Sequence, residues 1–268
     1  MAVHDLNDDL DGRPVLFCHA TGFCGPVFGP VARHLDGVRA LALDFRGHGD
    51  TVTPPEAPLD PIGFADDLLA VIDGLDLGPT FGVGHSLGGG ALLRAEQSRP
   101  GRLAAMFLFE PIAFPRFEVP RPSEPNQLAI GARRRREVFP SFEAAYDNFA
   151  SKPPLDALDP EALRAYVWNG FAAQDDGSVR LKCPGKREAR IFETGPTLVD
   201  FDRLGEVACP VTVAAGGDGD PPAAIAPLIA DQLPNGTFRQ IDTVGHFGPL
   251  EDPPLLAEAI SEAFGLTR

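Results

Sequence analysis

Gly84-His85-Ser86-Leu87-Gly88 stands between a short apolar, β-prone run, Thr80-Phe81-Gly82-Val83, and a helix-prone one, Gly90-Ala91-Leu92-Leu93-Arg94-Ala95-Glu96. A strand, a G-x-S-x-G turn and a helix in that order form a nucleophile elbow. Its flanking glycines let the backbone turn sharply and leave the serine strained and exposed above a sheet. The helix that follows points its free N–H groups and positive dipole end at the place where an oxyanion would form. A dinucleotide fingerprint is excluded, because Gly82-x-Gly84 is followed by Leu87 where the third glycine should fall.

Outward from the elbow, apolar runs alternate with helix-prone segments, the signature of βαβ units and a parallel sheet. Strands are expected at Pro14–Cys18, Val38–Leu43, Thr80–Val83, Ala104–Phe109, Val211–Ala215 and Thr237–Ile241. Helices are expected over Val27–Leu35, Phe64–Leu75, Leu87–Ser98, Ala223–Gln232 and Pro254–Phe264. The strands are nearly continuous in apolar residues, as strands covered on both faces should be. From about Ile112 to Asp200 the rhythm breaks into a Pro-rich start and then a helical pattern carrying Tyr146, Tyr166 and Trp168. This predicts an α/β core over residues 1–111 and 201–268, a mostly parallel doubly wound sheet, with 112–200 inserted as a helical cap.

The chain has 268 residues and a formal net charge of −15, which repels nucleic-acid phosphates and anionic membranes. No apolar run reaches membrane-spanning length, and the acidic start, Met1-Ala2-Val3-His4-Asp5, lacks the pattern of a signal peptide. Cys18, Cys24, Cys183 and Cys209 have neither C-x-x-C nor zinc-ligand spacing, and read as free thiols in a reducing cytoplasm. The expectations are therefore a cytoplasmic protein with a small-molecule substrate, no nucleic-acid or membrane partner, no metal and no organic cofactor. A homodimer is compatible with the composition.

Further motifs punctuate the strand ends. His19-Ala20-Thr21-Gly22 follows the first strong strand, and Asp44-Phe45-Arg46-Gly47-His48-Gly49-Asp50 the next. Gly217-Asp218-Gly219-Asp220 follows Val211–Ala215, and Gly245-His246-Phe247 precedes Leu250-Glu251-Asp252-Pro253. With the elbow, this series resembles the α/β-hydrolase superfamily, in its esterase/lipase-like branch with a helical cap. The resemblance implies an HG-type oxyanion loop at His19–Gly22, a D-x-R-G-x-G turn, an acid loop and a histidine loop. Two departures stand out. Ala20 occupies a position where many relatives have glycine, and only 13 residues precede Pro14 where relatives carry a β-hairpin. Ala2–Leu6 then reads as a remnant of the second strand, so the sheet is expected to lack an amino-terminal edge strand, or the chain to start late.

The chemistry of a serine hydroxyl points the same way, since it needs an imidazole to take its proton. Of the histidines at 4, 19, 34, 48, 85 and 246, His246 lies in a loop after the last strand, where side chains gather at the carboxyl edge of a parallel sheet. His85 adjoins Ser86 but neighbours on a turn point apart, and His48 in its Gly-rich turn reads as a structural hydrogen-bonder. The third member must be a carboxylate that fixes the imidazole tautomer. Asp220 is the first choice, ending the G-x-x-D of its loop; Asp218 is a local rival, and Glu110 after Ala104–Phe109 is another, because some relatives place the acid there. Oxyanion donors are expected from the Leu87 and Thr21 N–H groups.

The implied activity is a serine hydrolase acting on a small or medium carboxylic ester. The same groups serve C–C bond hydrolases, lactonases, thioesterases and perhydrolases, and a non-catalytic ligand-binding member is the rival from another class. Serine at the elbow argues against dehalogenases and epoxide hydrolases, which use aspartate there. Phe23, Phe114, Tyr146, Trp168 and Phe247 are candidates for the substrate pocket. Of Arg133-Arg134-Arg135-Arg136, which would point around a whole helix circumference, at most one or two could grip a substrate carboxylate.

Overall fold

Val15, Phe17, Ala40, Ala42, Phe107 and Phe109 belong to one buried cluster, while Leu16, Cys18, Leu41, Leu43, Met106 and Leu108 belong to another. Successive strand residues point to opposite faces, so an apolar run with no polar alternation must be covered on both sides. In the computed structural model, which describes residues 1–54, 57–115, 125–217 and 219–266, helices provide that cover. Each fully buried Leu, Val or Phe contributes about 1.5–3 kcal/mol.

The strands in chain order are β1 (Ala2–Asp5), β2 (Arg13–Cys18), β3 (Val38–Asp44), β4 (Thr80–His85) and β5 (Leu103–Phe109). Then come β6 (Val138–Phe139), β7 (Phe171–Ala173), β8 (Val179–Leu181), β9 (Val211–Gly216) and β10 (Gly236–Ile241). Among the described residues, seven of them make the central sheet, in the order β1-β3-β2-β4-β5-β9-β10. All neighbours pair in parallel except β1, which runs antiparallel to β3 with Ala2 opposite Asp44. The Ala2–Leu6 remnant is thus an edge strand in its own right.

The helices are α1 (Gly29–Ala32), α2 (Pro61–Gly74), α3 (Leu87–Ser98), α4 (Gln127–Arg133) and α5 (Phe142–Ala150). They continue with α6 (Pro160–Gly170), α7 (Gly185–Thr194), α8 (Pro221–Gln232), α9 (Gly248–Glu251) and α10 (Pro253–Phe264). Local chemistry sets several ends. Asp60 accepts from the Gly63 N–H at 3.1 Å ahead of Pro61, and Asp252 accepts from Leu255 N–H at 3.1 Å. The helix expected over Val27–Leu35 is instead a 3-10 turn, Gly25–Phe28, followed by the single turn of α1. Pro26 and Pro30 remove two N–H donors from that stretch and prevent a longer ladder.

Between β5 and β9 lie α4 to α7 together with a three-stranded antiparallel sheet, β6-β8-β7. The sequence pattern predicted helices there and not the sheet, whose strands of two or three residues are too short for alternation to register. Phe139, Tyr166 and Phe171 join one sheet-face cluster, and Ile191 and Leu198 the other, so the segment is packed onto the core.

Asp44, at the end of β3, ties three segments together. Its carboxylate accepts from Gly25 N–H at 2.7 Å, from Asp50 N–H at 2.8 Å and from His4 Nε2 of β1 at 2.8 Å. The hydrogen bond to Asp44 raises His4 above the usual histidine value, against a smaller opposing effect of burial. Burial alone would raise the Asp44 carboxyl, but the His4 hydrogen bond and the two backbone N–H groups reverse this and hold it below the usual carboxylate range. The His4 contribution is present in full below its unfolded value of 6.5 and fades as pH rises through the higher folded value. The Asp44 contribution is present above its unfolded value of 3.8 and fades as pH falls below it. We therefore expect the melting temperature to be insensitive to this pair between those two values and to decline from it above pH 6.5. A His4→Gln variant should show a flatter melting-temperature profile over the alkaline limb in a calorimetric pH series.

Candidate active site

Ser86 sits where β4 hands over to α3, with φ 53° and ψ −111°. That conformation is sparsely populated for any residue with a side chain and costs on the order of 1–3 kcal/mol. Its neighbours hold it there: Ser86 N–H donates to the Phe109 carbonyl at 3.0 Å, and Ser86 C=O accepts from Ile112 N–H at 3.1 Å. The turn also demands small residues on either side. A methyl group at Gly84 would come within 2.6 Å of Gly89 Cα, and one at Gly88 within 2.0 Å of the Cys18 carbonyl oxygen. The start of α3 therefore lies directly against the end of β2, bringing the elbow beside the loop that leaves β2 at His19.

That loop is held from beneath by two buried histidines. His48 Nε2 accepts from Gly22 N–H at 3.0 Å, and its Nδ1 faces the Arg46 carbonyl at 3.2 Å. His19 Nε2 accepts from Phe45 N–H at 3.1 Å, and its Nδ1 faces the Ala20 carbonyl at 2.8 Å. Both rings are thereby fixed as neutral Nδ1–H tautomers. Burial lowers His19 from the ordinary value and pushes His48 down to about 3, consistent with that assignment. Thr21 is buried in this loop, and Leu87 is the first residue of α3, where an N–H has no carbonyl a helical turn behind it. Among the described residues neither N–H is engaged by a backbone carbonyl.

On the far side of the elbow, Glu110 follows β5 with φ 46° and is fully buried. Its Oε2 lies 2.5 Å from His246 Nδ1, and its Oε1 accepts from Gly216 N–H at 2.8 Å. The His246 loop is fastened to the elbow as well, because His85 Nε2–H donates to the His246 carbonyl at 2.8 Å. Glu251 braces the same loop, accepting from Gly245 N–H at 2.8 Å and from Phe247 N–H at 3.2 Å. The structure thus brings His246 to Glu110, not to Asp220. Asp220 stands exposed at the head of α8, and its side chain does not even cap that helix. Asp218 lies outside the described residues. A glutamate at the end of β5 can reach the imidazole because positive φ turns its side chain back over the sheet edge.

Of the pocket candidates, Phe23 and Phe247 meet at 5.5 Å between ring centroids, and Phe247 also borders His246 at 5.3 Å. Tyr146 and Trp168 belong to a different group, in which Trp168 stacks on Phe142 at 5.5 Å and lies under Arg164. Phe114 is half-buried after β5, without a ring partner among the described residues. Sequence reading passed over Glu188 and placed no weight on Tyr166, which packs against Phe23 at 5.0 Å. The only signal for either was an acidic residue early in a helix and an aromatic in the cap.

A family model described as the alpha/beta hydrolase family matches residues 15–259. The chain belongs to that family. It is 29% identical over 255 residues to a non-heme chloroperoxidase of Streptomyces lividans, covering 88% of this chain and 86% of that one. It is also 30% identical over 165 residues to the lipase LipV of Mycobacterium tuberculosis, covering 62% and 53% of the two chains. Among solved structures, E-2-(acetamidomethylene)succinate hydrolase shares the fold with a TM-score of 0.78 at 21% identity, over 98% of this chain and 94% of that one.

The site geometry makes a direct spectroscopic prediction. An imidazole N–H held at 2.5 Å from a carboxylate should give a far-downfield proton resonance. We expect that resonance to be lost in Glu110→Gln and retained in Asp220→Asn, as read by proton NMR.

Proposed function

We propose that this α/β hydrolase is a serine hydrolase of small or medium carboxylic esters, with Ser86 as nucleophile, His246 as general base and Glu110 as the orienting acid. The observation that carries the reading is the buried Glu110–His246 hydrogen bond, 2.5 Å long, beside a serine held in a strained elbow. Glu110 accepts the Nδ1 proton, which leaves the Nε2 lone pair to take the Ser86 hydroxyl proton. Ser86 Oγ attacks the ester carbonyl, and the oxyanion is received by the N–H groups of Leu87 and Thr21. The intermediate collapses as His246 protonates the leaving alcohol. Water, deprotonated by His246, then attacks the acyl-enzyme and frees the acid and the serine. Donors that meet charge only in the tetrahedral intermediate lower the barrier selectively.

The likeness to a chloroperoxidase favours one second reading, perhydrolysis, in which hydrogen peroxide replaces water in the last step and the acyl group leaves as a peracid. Peracid formation from acetate and peroxide, absent in Ser86→Ala, would establish it.

For the ester reading, p-nitrophenyl esters of graded chain length should be hydrolysed by the wild type, and Ser86→Ala should lose about 10⁴-fold or more in kcat. Glu110→Gln should lose most of the activity and Asp220→Asn should stay near wild type. A folded wild type no faster than Ser86→Ala on every ester would overturn the proposal.

A further inference from the structure

Histidines hold the oxyanion loop from beneath; from above it is met by three residues of the cap segment. Of the four consecutive arginines, Arg133 pairs with Glu193 at 2.6 Å, and Arg134 is exposed. Arg136 donates to the Val138 carbonyl at 2.8 Å and lies over the Phe139 ring. Arg135 alone turns inward, where Nη1 donates to Glu188 Oε2 at 2.7 Å and Nη2 to the Tyr166 hydroxyl. Tyr166 and Glu188 are both buried.

The helices explain how these groups meet. Gly185 opens α7 so close to the end of α4 that a methyl group there would lie 2.2 Å from the Ala132 carbonyl oxygen. Glu188, one turn further on, is thereby set opposite Arg135. Burial raises the Glu188 carboxyl and pushes the Tyr166 phenol up to about 12, whereas Arg135 offsets part of both effects.

This trio bears on the loop at two adjacent residues. Gly22 has φ +84°, and a methyl group on it would come within 2.5 Å of Glu188 Oε1 and 3.3 Å of Arg135 Nη1. Phe23, the next residue, packs its ring on Tyr166 at 5.0 Å. The carboxylate thus fills the space that a side chain at position 22 would need, and leaves no gap for a ligand between Arg135 and the loop. It also already neutralises the Arg135 guanidinium, which disfavours recruitment of a substrate anion.

We propose that Arg135, Glu188 and Tyr166 form a positioning clamp, borne by the cap, that presses on Gly22 and Phe23 and so fixes the Thr21 N–H where the oxyanion develops. The clamp rests on the serine-hydrolase reading for its catalytic consequence. Its anchoring of the loop does not.

The test is steady-state kinetics on p-nitrophenyl acetate and on mono-p-nitrophenyl succinate, for wild type, Ser86→Ala, Arg135→Ala, Arg135→Lys, Glu188→Ala, Glu188→Gln and Tyr166→Phe. Hydrogen exchange at the Gly22 amide is followed in parallel. Removal of one oxyanion donor costs about 10²–10³ in kcat, so a displaced donor should cost less, about 10-fold to 10²-fold in Glu188→Ala and Arg135→Ala. The loss should fall equally on both esters with KM little changed, and exchange at Gly22 should quicken. Arg135→Lys and Glu188→Gln should recover part of the loss, and Tyr166→Phe should be mild. If the alanine variants do not fold, Glu188→Gln and Tyr166→Phe carry the same comparison.

A rise in KM confined to the succinate ester, with kcat intact, would make Arg135 a substrate-carboxylate site and overturn the clamp. Ser86-dependent turnover and Gly22 exchange that are both unchanged in the variants would overturn it too. Should wild type show no Ser86-dependent turnover, the hydrolase reading fails by itself. Unchanged Gly22 exchange would then also overturn the clamp, and quickened exchange would uphold the anchoring.

Discussion

A carboxylate with no solvent exposure is tolerable only if its charge is met by donors at close range. Glu110 satisfies that condition with the Gly216 N–H on one oxygen and the His246 imidazole on the other. Much of the surrounding geometry follows from this constraint. The Glu110 N–H itself is bonded to the Ala214 carbonyl at 2.9 Å, so the residue is locked to β9 from both main chain and side chain. Its positive φ turns the side chain over the sheet edge, and His246 must come to the carboxylate. The loop carrying His246 is then fixed a second time by His85, one residue before Ser86. Ser86 and Glu110 thus stand at the ends of the adjacent parallel strands β4 and β5, and His246 in the loop after β10 is held to both by His85 and Glu110.

The histidines divide by what their surroundings do to their charge. Burial lowers His19, His48 and His85 from the ordinary histidine value, so all three remain neutral and serve as fixed hydrogen-bond bridges between backbone segments. Their ring contacts, 4.9 Å between His19 and His48 and 5.0 Å between His85 and His246, form a buried aromatic floor under the two loops that frame Ser86. His4 is the opposite case, held by Asp44 toward its charged form at the sheet edge. A group of chemically identical side chains thus acts as structural pins, one half of a largely buried ion pair and the candidate base, according to burial and partner alone.

The central strands were legible because two-faced burial writes itself as unbroken apolar runs; each expected strand agrees with the structure to within one or two residues. The elbow was legible because it needs glycine at positions fixed by van der Waals contact with β2 and with α3. The acid was not settled, since choosing among Asp218, Asp220 and Glu110 depends on side-chain direction at strand ends, and φ at Glu110 leaves no trace in composition or periodicity. The cap sheet escaped because strands of two or three residues carry no measurable alternation. Four consecutive arginines on one helix would point around its circumference, but α4 ends at Arg133, and which arginine turns inward is set by the chain beyond that end.

The cap illustrates why site residues drawn from an insertion are hard to read. A core strand presents its residues to the same two layers along its length, so one apolar pattern predicts many contacts. Glu188 is set inward where Gly185 lets α7 touch the end of α4, and Arg135 faces it from two residues beyond that end. Each is polar, each would be assigned to solvent by itself, and their burial is tolerable only because they meet each other and Tyr166. Such pairs are invisible to any reading that treats positions singly. They also cannot drift apart singly, because a change at one leaves the other buried without its partner. That mutual dependence gives the segment between β5 and β9 a defined seat against Gly22 and Phe23, where scattered apolar contacts would allow sliding.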